Sequence, residues 1–173
     1  MNWKITNILQ SEIEDMADPI PPGFSSVTPH IVVKRCSDAI DFYKTALNAK
    51  EIYRSLTPDG KVMHAMIQIG NSIIMLADEF PDIGSVGPST LGGTPFVLHI
   101  YTDNADKLYK RAIDSGAISI MPVADMFWGD RYGQIQDPFG HRWAIATHTK
   151  DISPKEMEDA AKKFFDKGTC LTK

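Results

Sequence analysis

The chain has 173 residues, of which 43% are hydrophobic and 23% are charged, and its formal net charge is -4. This length and apolar content suit one globular domain or two fused small modules, and they exclude a disordered or fibrous chain. The acidic balance argues against a nucleic-acid-binding protein, and no apolar run is long enough to predict a membrane span.

The N-terminal residues and the cysteines favour a cytoplasmic protein. Acidic side chains at Glu12, Glu14 and Asp15 stand where a signal peptide needs an apolar core. Cys36 and Cys170 are the two cysteines of the chain, too few for a disulfide scaffold. We therefore expect a protein of a reducing compartment.

The first half of the chain has the pattern of a strand, a helix and three further strands. The β-branched run Val27–Lys34 predicts the first strand, and apolar residues at helical spacing over Ala39–Leu47 predict a helix with Ser37 or Asp38 as N-cap. The turns around Gly60 and Gly70 then separate three strand-like runs. These runs are Glu51–Leu56, Val62–Ile69 and Ser72–Leu76.

The second half repeats this pattern. A strand is predicted over Thr94–Tyr101 and a helix over Ala105–Ile113, with Asp103 or Asn104 as N-cap and Gly116 as the residue after the helix. Any two amphipathic helices look somewhat alike, but both first strands also open with Thr-Pro and carry one His, which favours a true repeat. Three strands complete the half: Ile118–Val123, Tyr132–Gln136 and Arg142–Thr147.

The repeat divides the chain into two modules with flanking segments. Neither βαβββ half can cover both faces of its own sheet, so the two share one core or pair with a second subunit. Ser153, Pro154 and Glu156 predict the start of a C-terminal helix, whose apolar stripe docks on the domain or on a partner. The residues before Pro21 read equally as a short helix or a loose arm. The predicted segments are an N-terminal extension (1–25), module 1 (26–80), a linker with a candidate lid role (81–94), module 2 (95–149) and a C-terminal helix with its tail (150–173).

One string in module 2 carries a resemblance to a known family. Residues 127–133 read FWGDRYG and residues 137–143 read DPFGHRW. With the paired βαβββ pattern over about Ser26 to Thr149, they resemble the vicinal oxygen chelate superfamily of glyoxalase I, bleomycin-resistance proteins and extradiol dioxygenases, and within it the PhnB-like branch. The resemblance implies an α+β fold of two tandem βαβββ modules forming a curved mixed sheet around a cavity, in a homodimer.

The same resemblance implies where a metal would bind. Metal-using members take ligands from the first and fourth strand of each module, which here gives His30 and His99 with Met75 and Ala144. Those members carry carboxylates at the last two places, so two of the four ligands are missing. His64 is the best candidate for a third ligand, and a divalent ion such as Zn, Ni, Fe or Mn is the alternative to a metal-free protein.

The candidate ligand pocket combines these residues with an aromatic loop. Phe127, Trp128 and Tyr132 supply apolar area, and Arg131 supplies a fork for a carboxylate or phosphate. The alternative is a local Asp130–Arg131 pair that holds the loop over a core Trp128. The predicted pocket residues are His30, His64, Met75, His99, Phe127, Trp128, Arg131 and Tyr132.

Three functions follow from the resemblance. The first is a protein that binds a small organic ligand between the modules without the full metal site. The second is a divalent-metal-dependent lyase or isomerase of the glyoxalase I type, for which the missing carboxylates are an obstacle. The third, a ring-cleaving oxygenase, needs a carboxylate ligand that the sequence does not supply. No catalytic residue is assigned, and we find no nucleophile motif or phosphate-binding glycine loop.

Overall fold

The computed structural model of the chain describes residues 17–166. Most of the predicted N-terminal extension and the tail after Asp166 lie outside these residues. Within them, each half contains one helix and four strands in the predicted order. The elements are β1 His30–Val33, α1 Cys36–Leu47, β2 Lys50–Leu56, β3 Val62–Ile69, β4 Ser72–Asp78, α2 Pro88–Leu91, β5 Val97–Tyr101, α3 Ala105–Asp114, β6 Ile118–Asp125, β7 Asp130–Gln136, β8 Arg142–His148 and α4 Pro154–Asp166.

The strands form two mixed sheets with the same topology. The order is β1-β4-β3-β2 in the first sheet and β5-β8-β7-β6 in the second. In each sheet the first strand lies parallel to the fourth, and the other neighbours are antiparallel. The tandem βαβββ fold is therefore confirmed. Within residues 17–166 strands pair only inside each half, so the modules form two separate sheets rather than one continuous sheet.

The two halves share one core, in which Tyr43 of α1 meets Trp143 of β8. Both side chains are fully buried, and their rings lie 5.3 Å apart. The carboxylate of Asp137 accepts hydrogen bonds from the Tyr43 hydroxyl at 2.7 Å and from the Trp143 indole at 2.8 Å. Burial and this carboxylate raise the pKa of Tyr43, so the hydroxyl keeps its proton and remains a donor.

Helix ends show one wrong and one confirmed prediction. Helix α1 begins at Cys36, ahead of the predicted caps Ser37 and Asp38, and its N-cap Arg35 makes no side-chain cap bond. Instead the carboxylate of Asp78, at the end of β4, accepts from the Cys36 amide at 2.7 Å. In α3 one of the two predicted caps is correct, since Asn104, and not Asp103, accepts from an amide in the first turn.

The segments outside the modules also pack on the fold. The predicted linker contains α2, where the Ser89 hydroxyl donates to the Phe139 carbonyl at 2.9 Å. The predicted capping box opens α4, because Ser153 and Glu156 bond each other's backbone amides. Phe164 of this helix packs on Phe127 with ring centroids 5.2 Å apart, so the helix contacts its own domain. No helix in the described part of the chain has the length and apolarity to cross a bilayer.

Candidate functional site

The two histidines of the first strands occupy matching positions. His30 of β1 lies opposite Met75 of β4, and His99 of β5 lies opposite Ala144 of β8. Both pairs join a first strand to a fourth strand in parallel register. The positions that the repeat predicted as equivalent are therefore equivalent in the fold.

On the first sheet, His30 belongs to a cluster on the face opposite α1. Its ring lies 5.9 Å from that of His64, edge to face, and His64 lies 6.3 Å from Tyr53. Met75 pairs with Met66 on the neighbouring strand of the same sheet. Burial lowers the pKa of His30 and the His64 imidazole lowers it further, so His30 is a neutral imidazole at pH 7.

On the second sheet, His99 lies among aromatic rings. Its ring centroid is 4.6 Å from Tyr101 and 5.8 Å from Tyr132, and Tyr132 in turn lies 5.4 Å from Trp128. Burial lowers the pKa of His99, an effect that the Asp130 carboxylate partly opposes. This cluster presents a neutral imidazole between phenol rings.

A buried carboxylate anchors this aromatic cluster. Asp130 is 5% exposed, and its Oδ2 accepts from the Tyr101 hydroxyl at 3.1 Å and from the Trp128 indole at 3.2 Å. Its Oδ1 lies 2.8 Å from Nδ1 of His148, whose Nε2 lies 3.0 Å from a carboxylate oxygen of Asp151. These two carboxylates raise the pKa of His148. Sequence reasoning missed Tyr101 and His148 here, because no local pattern links three separate strands.

The guanidinium of Arg131 pairs with two carboxylates. It donates two hydrogen bonds to Asp106, at 2.7 and 2.9 Å, and one to Asp125 at 3.3 Å. The Asp130–Arg131 pair that the sequence offered as an alternative does not form. Consecutive residues on a strand point to opposite faces, which separates these two side chains.

The donor set does not fit the four-ligand metal site that the resemblance implies. The partners in register with His30 and His99 are a thioether and a methyl group, where an oxygen ligand is needed. In residues 17–166 no three His, Cys, Asp or Glu side chains are grouped closely enough to hold a metal ion. We therefore derive no chemistry through a metal at these positions.

A cleft of about 630 Å³ lies between the two halves. One wall is β5, and the facing wall combines the turn around Gly70 with the segment that leads into β1. Leu108 and Trp143 also line it. The strand β5 is an edge strand, so one side of its backbone faces this space.

The cleft and the predicted pocket overlap at one residue. His99 lines the cleft, whereas the other predicted residues lie outside its lining. His30, His64 and Met75 group on the first sheet, while Phe127, Trp128 and Tyr132 group at the end of the second. The structure thus places the eight predicted residues in separate groups. A cavity between the modules was expected, but its lining was missed because the walls come from both halves.

Comparison with known proteins agrees with the paired modules. Residues 24–145 match the model of the Glyoxalase/Bleomycin resistance protein/Dioxygenase superfamily. The chain belongs to this superfamily. The uncharacterized protein Rv0887c of Mycobacterium tuberculosis is 37% identical to it over 154 residues, covering 87% of this chain and 89% of that protein.

Solved structures share the fold at low sequence identity. TioX from Micromonospora sp. ML1 is 22% identical with a TM-score of 0.58, covering 72% of this chain and 98% of that chain. A PhnB protein from Bacillus cereus is 14% identical with a TM-score of 0.56, covering 71% of this chain and 99% of that chain. At these identities the likeness concerns the fold alone.

Proposed function

We propose that this superfamily member binds a small, neutral organic ligand in the cleft between its two halves, without a full metal site. The observation that carries the proposal is the cleft itself, with its volume of about 630 Å³. Small-molecule sites are commonly concave, mostly apolar and about 300–1,000 Å³ in volume. Phe96 and Val97 supply exposed apolar surface, and His99 supplies a polar group.

The electrostatics of the cleft favour a ligand without charge. Its lining, within the described residues, contains no Asp, Glu, Lys or Arg. The lowered pKa of His99 leaves that imidazole neutral at pH 7. An ionic ligand would lose its hydration without gaining a counter-charge, which is costly.

The test uses the full chain and the neutral fluorescent probe N-phenyl-1-naphthylamine, whose emission rises in an apolar site. We expect saturable binding that Ile73→Trp weakens at least about tenfold, because Ile73 lines the cleft and a larger side chain fills it. The matched control is Ile83→Trp, since Ile83 is 80% exposed and lies outside the cleft lining. Absence of saturable binding, or equal affinities in both variants, would contradict the proposal.

A divalent-metal-dependent lyase or isomerase of the glyoxalase type is the second candidate. The 5.9 Å contact between the rings of His30 and His64 favours it, because imidazole is a common ligand of Zn, Ni and Fe. Elemental analysis after equilibration with each ion decides between the two. One tightly held ion per chain, lost in His64→Ala, would support the enzyme, whereas probe binding that persists after dialysis against a chelator supports the binding protein.

We also propose that the protein is a homodimer. Each helix covers one face of its sheet, and the other faces carry exposed rings such as Tyr53 at 48% and Tyr101 at 63%. A second copy would cover them by placing the first sheet of one chain against the second sheet of the other. Light scattering should then give twice the chain mass of 19.2 kDa. Tyr53→Lys should give the monomer mass, while Ile83→Lys should not.

Two narrower assignments belong with this proposal. The strings at residues 127–133 and 137–143, together with the fold shared with the Bacillus cereus protein, support the PhnB-like branch. The acidic composition and the two cysteines support a cytoplasmic location. The superfamily membership does not depend on either assignment.

A further inference from the structure

Because the two modules repeat the same fold, the groups that fill a space in one module indicate which groups a ligand would bring to the equivalent space in the other. Because His30 and His99 stand at the same register position, Val32 of β1 corresponds to Tyr101 of β5. By the same register, Ser72 at the start of β4 corresponds to His141, just before β8. The surroundings of β1 and β5 can therefore be compared residue by residue.

The free edge of β1 is closed by the second half of the chain. The Nε2–H group of His141 donates to the Val32 carbonyl oxygen at 3.0 Å. Phe139, from the same turn, packs on Phe42 and Tyr43 with ring centroids 6.1 and 6.3 Å apart. Phe139 and His141 are 5% and 6% exposed. A ring and an N–H donor from this turn, with Gly87 of the linker beside the Val32 carbonyl, thus fill this edge.

The free edge of β5 has the cleft at the corresponding place. The turn that faces it is the short Gly70-Asn71, which brings no ring, and its polar side chain, Asn71, is exposed rather than buried like His141 of the longer turn Asp137–His141. Leu108 lines the cleft, and its counterpart Phe42 contacts Phe139 in the other half. The space that Phe139 and His141 occupy at β1 is therefore left open at β5.

The backbone of β5 offers an acceptor in this space. The Thr102 amide donates to the Ala146 carbonyl of β8 at 2.8 Å. Successive residues of a strand direct their backbone groups to opposite sides, so the Tyr101 carbonyl points away from β8. Val32, its counterpart, directs its carbonyl the same way and binds His141.

The geometry points to a ligand that does at β5 what Phe139 and His141 do at β1. We infer a neutral, planar ring compound bearing an N–H or O–H group, with the ring beside Leu108 and the donor on the Tyr101 carbonyl oxygen. This inference rests on the proposed function and adds the chemical class of the ligand.

The first experiment compares indole with 1-methylindole on the full chain by calorimetry. The two probes share a ring system, but the second lacks the N–H donor. We expect indole to bind about tenfold more tightly, the equivalent of about 1.4 kcal/mol for one hydrogen bond. Equal affinities, or binding of neither indole while N-phenyl-1-naphthylamine binds, would overturn the inference and leave the proposed function standing. Binding of none of the three compounds would overturn both.

The second experiment places a competing donor in the cleft. Ser72→His puts an imidazole where His141 stands in the other half, and we expect it to weaken indole binding about tenfold. Ile83→His, at an 80% exposed residue outside the cleft lining, is the control and should leave indole affinity unchanged. A Ser72→His protein that folds, by circular dichroism, and binds indole normally would overturn the inference.

A third measurement does not depend on any substitution. With the Tyr101 carbonyl carbon labelled with ¹³C, indole should shift its resonance while 1-methylindole should not. Equal shifts with both probes, or none with indole, would overturn the assignment of this carbonyl as the acceptor.

Discussion

The edge strands β1 and β5 occupy equivalent places in their sheets, but the turns that face them bring different side chains. At β1, the turn Asp137–His141 contributes Phe139 and His141, and the edge is closed. At β5, the shorter Gly70-Asn71 turn leaves a cleft of about 630 Å³. In a repeated fold, equivalent spaces in the two modules can therefore serve different purposes. Here a longer turn fills the space beside β1 with core side chains, and a shorter turn leaves the space beside β5 open for a ligand.

The largest effect should come from removing the ring that closes β1. We expect Phe139→Ala to reduce the free energy of unfolding by about 4 kcal/mol, because the buried ring leaves a cavity against Phe42 and Tyr43. Phe96→Ala, at a ring that lines the cleft and is 51% exposed, should cost less than about 1 kcal/mol. Urea unfolding measures the loss of stability in both variants. Similar losses would contradict the claim that the edge of β1 is filled and the edge of β5 is open.

The next effect concerns the carboxylate that holds the closing turn. Asp137 is 2% exposed and also accepts from the amides of Phe139 and His141, both at 2.9 Å. Asp137→Asn should cost about 3 kcal/mol, because an amide group would face buried donors. Asp114→Asn, on an exposed ion pair, is the control and should change stability by less than about 0.5 kcal/mol. A small loss for Asp137→Asn would show that this network does not secure the turn.

A smaller effect isolates the hydrogen bond at the β1 edge. His141→Phe keeps a ring but removes the donor to the Val32 carbonyl, and it should cost about 1 kcal/mol in chemical unfolding. At the equivalent position on the open side, Ser72→Ala should be neutral. If His141→Phe also leaves the free energy of unfolding unchanged, the Val32 carbonyl does not require a donor. The comparison would then no longer support a ligand that donates to the Tyr101 carbonyl.

The smallest effect is the pH dependence of His148, at the far end of β8. Its pKa is raised by Asp130 and Asp151, so its contribution to stability is present below the ordinary value of 6.5 and is lost as the pH rises through the raised pKa. The melting temperature of the wild type should therefore exceed that of His148→Gln more at about pH 6 than at about pH 9. NMR titration should place the His148 midpoint above 6.5 and those of His30 and His99 below it. A His148 midpoint below 6.5 would contradict the carboxylate contacts.

Local patterns in the sequence predicted most of the fold. Periodicity placed the helix of each module and all eight strands, since a helix and a strand each repeat at a fixed spacing along the chain. The cap of α3 was predicted because Asn104 acts on its own helix. The cap of α1 was not, because Asp78 reaches it from β4 and such a contact has no local signature.

The site was harder to predict for the same reason. The resemblance placed His30 and His99 correctly in register, yet the cleft depends on how β5 faces a turn from the other half. Arg131 appeared free for a ligand because its partner Asp106 lies on another element. The sequence gives the lengths of the two turns. That one turn fills the edge of β1 and the other leaves a cleft at β5 follows only from how the two halves pack together.

The most direct test of the central claim is a methyl NMR titration of the full chain with N-phenyl-1-naphthylamine. If the cleft at β5 is the ligand site, the methyl signals of Leu108 and Ile73 shift with saturation, and those of Met66 and Met75 on the first sheet do not. Shifts at Met66 and Met75 with unchanged Leu108 would place the ligand on the open sheet face and contradict the account.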